Sequence, residues 1–66
     1  MLHLVIKFET LENGPLLWSQ IQEFARSMID GEDKGAFVVY DGPFEHGLFV
    51  IAKCLEFGAT EISSTK

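Results

Sequence analysis

The sequence predicts an α/β fold: a small two-layer β-α-β-α-β domain with a three-stranded, mostly parallel sheet and two helices on one face. Three observations carry that reading. An apolar run, a Gly-Pro turn and an amphipathic segment closing on glycine occur twice: residues 4–8, Gly14-Pro15 and Gly31, then residues 36–40, Gly42-Pro43 and Gly58. The two passes nearly match, with 17 residues from Gly14 to Gly31 and 16 from Gly42 to Gly58. A short polar tail, residues 59–64, tolerates β structure and closes the pattern.

The first strand alternates Leu4, Ile6 and Phe8 with Val5, Lys7 and Glu9, which predicts one buried face. Gly14 and Pro15 suit a helix start, where the N–H that proline lacks has no intrahelical partner anyway. The first helix is expected over residues 15–30, with Leu17, Ile21, Phe24 and Met28 as its apolar stripe and Gly31 just past its end. The second strand is apolar on both faces, as a central strand would be. The second helix is expected over residues 44–57, because Phe44, Leu48, Ile51 and Leu55 repeat the spacing of the first stripe and gather Glu45, His46, Lys53 and Glu56 on one side. Two features resist that helix: Gly47 in its first turn, costing about 1 kcal/mol, and Phe49 on its polar side. The alternative is a β-α-β-β-β arrangement with a hairpin between residues 36–41 and 48–55. Strand order 1-2-3 follows most simply, with 2-1-3 as the runner-up.

Composition narrows the function. The 66 residues form one domain, 47% apolar and with a formal net charge of −5. Lys7, Arg26, Lys34, Lys53 and Lys66 are scattered, which disfavours a nucleic-acid partner. No apolar stretch approaches the length of a membrane span. A single cysteine, Cys54, rules out an intrachain disulfide, and with no export-like leader it predicts a cytoplasmic setting. His3, His46 and Cys54 lack metal-ligand spacing, so no metal or cofactor is expected. The acidic group Asp30, Glu32 and Asp33, with Lys34 beside it, reads as a solvated loop.

Two functional readings remain. The first is a small acidic protein-interaction module, regulatory or inhibitory and not an enzyme. It would act as a homodimer through an apolar sheet face, since so short a chain gains stability from a partner. Its interface candidates are Val5, Phe37 and Val39 on that face, with Phe49 and Trp18 on the helices. Partners are then a second copy and another protein. The second reading is an anionic-ligand binder or minimal enzyme at the Gly-Pro helix starts, using Gly14, Gly42 and His46. Glu12, Asp41 and Glu45 flank those turns and oppose an anion there.

Overall fold

A computed structural model describes residues 1–31 and 35–65. The chain runs β1 (Leu2–Phe8), α1 (Gly14–Ile21), β2 (Ser27–Gly31), β3 (Gly35–Gly42), α2 (Phe44–Glu56) and β4 (Glu61–Thr65). The sheet has four strands in the order β2-β3-β1-β4, and each neighbouring pair is antiparallel. This α+β architecture replaces the expected three-stranded, mostly parallel sheet. Neither the 1-2-3 nor the 2-1-3 order forms, and residues 48–55 lie in α2 rather than in a hairpin.

The difference originates in residues 22–31. The expected first helix stops at Ile21, and a turn carries the chain into β2. In that turn the Phe24 and Ala25 amides both donate to the Ile21 carbonyl. Met28 and Ile29 then obey a period of two. Met28 pairs with Val38 on the core side, and Ile29 pairs with Phe37 on the opposite side. A helix through this segment would leave one flank of β3 without a strand, although β3 is apolar on both faces. With β2 and β3 joined by a short connection, β3 must run against β2. The gap between β1 and β2 receives β3, and the gap between β3 and β4 receives β1. This is the connectivity of the double split β-α-β, or ferredoxin-like, arrangement.

Alternation decides what is buried. Leu4, Ile6 and Phe8 of β1 and Ala36, Val38 and Tyr40 of β3 face the helices and are almost fully covered. Leu17 and Ile21 of α1 and Val50 and Cys54 of α2 complete one continuous core. The Tyr40 hydroxyl is satisfied within it by donating to the Pro43 carbonyl at 2.5 Å, which ties the end of β3 to the start of α2. Burial raises the Tyr40 pKa.

The second helix forms where expected but turned about its axis. The side against the sheet is Gly47, Val50 and Cys54, while Phe44, Leu48 and Leu55 are exposed. Gly47 explains the turn. A Cβ at this position would lie 2.6 Å from Leu2 Cδ2 and 3.2 Å from the Tyr40 ring. The small side of the helix therefore sits down on the large side chains of the sheet, and glycine is the residue that permits the approach. The helix ends in a Schellman motif. Ala59 N–H donates to the Cys54 carbonyl at 3.0 Å and Gly58 N–H to that of Leu55 at 3.1 Å, with Gly58 at φ +91°.

Candidate functional site

With both helices on one side, none of the described residues forms an element that covers the other side of the sheet. The register places Val5 beside Val39, and Phe37 beside Ile29 and Lys7, on this helix-free face. Val5, Phe37 and Val39 are half-buried among their neighbours, and Ile29 at the β2 edge is exposed. Charged pairs frame this apolar centre. At one end Lys7 Nζ lies 3.5 Å from Glu61 Oε2 and 5.9 Å from the centre of the Phe37 ring. At the other, His3 Nδ1 donates to Asp41 Oδ1 at 2.5 Å, and Arg26 lies 3.4 Å from Asp41 Oδ2. The hydrogen bond from His3 holds the Asp41 carboxyl below the usual carboxylate range. Electrostatic attraction to His3 and Arg26 acts in the same direction, against the effect of desolvation.

The His3–Asp41–Arg26 grouping and Ile29 were not legible as site residues. Both depend on strand pairing across the sheet: His3 meets Asp41 only in the β1–β3 register, and Arg26 and Ile29 belonged to the expected first helix. The one available signal was the alternation of Ser27 and Ile29 against Met28, followed by Gly31 and Gly35.

The remaining interface candidates lie on the helix side. Trp18 of α1 is half-buried against the core. Phe49 of α2 is 38% exposed, and its ring centre stands 5.0 Å from that of Phe24. Phe24 also meets the His46 ring at 4.9 Å. The aromatic residue on the polar side of the helix thus stays partly exposed while its ring packs on Phe24, joining α2 to the segment after α1.

The structure does not bring the three residues of the anion-site reading together. In a parallel sheet both Gly-Pro helix starts would share one end. Here β1 and β3 are antiparallel, so the two turns fall at opposite ends. Gly42 pairs with Leu2 at the start of β1, whereas Gly14 follows the far end of that strand and sits against Leu11 and Met28. His46 remains near Gly42, its ring tilted by 54° against that of Phe24. Beside Gly14 a cleft of about 530 Å³ opens between the β1–α1 connection and the end of α2. Glu12 and Glu56 help line it, together with Leu11, Leu16 and Phe57. Two carboxylates beside a helix C-terminus make a poor anion site.

Burial pushes the Cys54 thiol up to about 12, leaving it protonated and shielded. Among the described residues no group of three or more His, Cys, Asp or Glu could hold a metal ion, and every buried side-chain N or O has a hydrogen-bond partner. No helix of the described residues is long and apolar enough to cross a membrane. Glu32, Asp33 and Lys34 of the acidic loop lie outside the described residues. No protein-family model, curated protein or solved structure matches the chain.

Proposed function

We propose that this chain is a small acidic protein-interaction module, without catalytic chemistry of its own, whose helix-free sheet face engages another protein. The observation that carries this reading is the layout of that face, an apolar centre of Val5, Phe37, Val39 and Ile29 between two charged ends. A rim of charge around an apolar centre is the composition of a reversible protein interface. The Arg26 guanidinium is the most exposed of the charged groups at its end of the sheet, so the fitting partner presents apolar side chains to the centre and a carboxylate to Arg26. The proposal sets the protein in the cytoplasm, where Cys54 stays reduced, and gives it a regulatory or inhibitory role.

A photo-crosslinking amino acid at position 37 tests this in cells that make the protein. The expected result is one discrete adduct, lost when Arg26→Glu is added and absent when the crosslinker stands at Gln22, on the helix side. Equal labelling from positions 37 and 22 would overturn the reading.

A further inference from the structure

A second exposed apolar surface lies on α2, outside the face just described. Phe44, Leu48 and Leu55 are 62%, 50% and 54% exposed, with Ile51 half-buried between them. On a helical projection these four fall within about 60° of arc, and the sheet-facing Gly47, Val50 and Cys54 centre about 100° away. Phe24 packs on His46 and Phe49, so the α1 side of the helix is occupied on the opposite flank. The start of α1 lies over β2, where Met28 Cε is 3.5 Å from a Cβ placed at Gly14. The stripe therefore looks away from α1, toward the β4 edge.

Its spacing identifies what fits it. Intervals of four, three and four residues form the seam by which two helices pack at a shallow angle. The same intervals are palindromic. Turned end for end, position 44 exchanges with 55 and position 48 with 51, so every apolar residue meets another apolar residue. A self-complementary patch is the requirement for a two-fold pair. The antiparallel orientation also sets the helix dipoles against each other, and Ala52, exposed beside the seam, lets the backbones approach. With Leu2, Ala52 and Ile62 at its margins the stripe offers roughly 500 Å² per copy, so a pair buries at most about 1,000 Å², the size of a weak, transient interface.

We infer that a second copy of this chain docks on the Phe44–Leu48–Ile51–Leu55 stripe, α2 against α2 and antiparallel about a two-fold axis. This moves self-association from the sheet face, where it was expected, to the opposite side of the molecule, and it stands independently of what the sheet face binds. The pair is small, hence reversible. Each copy carries a net charge of −5 while the stripe itself carries none, so added salt screens the mutual repulsion and strengthens the dimer.

Sedimentation velocity on the purified chain, from low micromolar to near-millimolar concentration and at low and high salt, tests the inference. The expected result is a reversible shift from 7.4 kDa to twice that mass, favoured by salt. Leu48→Glu/Leu55→Glu should stay monomeric with an unchanged far-UV circular dichroism spectrum, and Ile29→Glu on the sheet face should still dimerise. Should the double variant fail to fold, Leu48→Cys treated with a short bis-maleimide supplies the second reading, because native Cys54 is buried. A covalent dimer supports the inference. A wild-type monomer at all concentrations, a dimer abolished by Ile29→Glu alone, or a Leu48→Cys protein that does not cross-link would overturn it.

Discussion

The two apolar sides of α2 differ in a way that simple periodicity does not reveal. One side is small: Gly47, Val50 and Cys54 lie against the sheet and are buried. The other is large: Phe44, Leu48 and Leu55 point outward. A projection ranks the large side as the core face because it sums more apolar bulk. The structure ranks the small side first because the sheet already supplies the bulk. Leu2, Leu4 and Tyr40 rise toward the helix, and only a helix side without side-chain volume at position 47 can settle on them. Complementarity of size between two elements, rather than hydrophobicity of one, selects the buried side.

The predictions probe that contrast, and the largest concerns a rate. Burial raises the Cys54 pKa to about 12, which cuts the thiolate fraction near neutral pH by about three orders of magnitude relative to an ordinary cysteine. A thiol reagent should label the native protein only as fast as it opens, and labelling at the rate of a free thiol would show that this side of α2 is not packed. Next comes Gly47→Val. Its added carbons meet Leu2 and Tyr40, and the substitution should cost about 3 kcal/mol in chemical denaturation despite the better helix propensity of valine. A neutral or stabilising result would mean that α2 does not approach the sheet closely. Tyr40→Phe should cost about 1 kcal/mol, because it removes the hydroxyl that binds the Pro43 carbonyl at the start of α2.

The smallest effect belongs to the far side of the sheet. Asp41 has its folded pKa lowered, first by the hydrogen bond from His3. Its contribution to stability is present above the unfolded carboxylate value of about 3.9 and is lost as pH falls through the lower folded value. The stability gap between wild type and Asp41→Asn should therefore close on acidification below about pH 4. A gap that widens there would contradict the pairing. Because Asp41 lies on the helix-free face, Cys54 labelling should be unchanged in Asp41→Asn.

Some of the fold was legible because it depends on local pattern. The alternation of Leu4, Ile6 and Phe8 marks β1, the helix over residues 44–56 follows its period, and Gly58 takes the left-handed conformation expected just past a helix end. The remainder depends on pairing between distant segments. Residues 27–31 carry apolar groups that fit either period, and only the need of β3 for a neighbour on each side turns them into a strand. That single choice also sets strand direction, so one misplaced segment turned a fully antiparallel sheet into a mostly parallel one in the expectation. The candidate site divides the same way. Val5, Phe37 and Val39 could be read as one sheet face from alternation alone. His3, Asp41 and Arg26 could not be grouped, since three separate strands or turns bring them together.

The central claim, that the small side of α2 holds the fold while the large side does not, is tested most directly by comparing Val50→Ala with Leu48→Ala in urea at a concentration dilute enough to keep the chain monomeric. The account predicts a loss of about 2 kcal/mol for Val50→Ala and a change within about 0.5 kcal/mol for Leu48→Ala. A larger loss for Leu48→Ala than for Val50→Ala would contradict it.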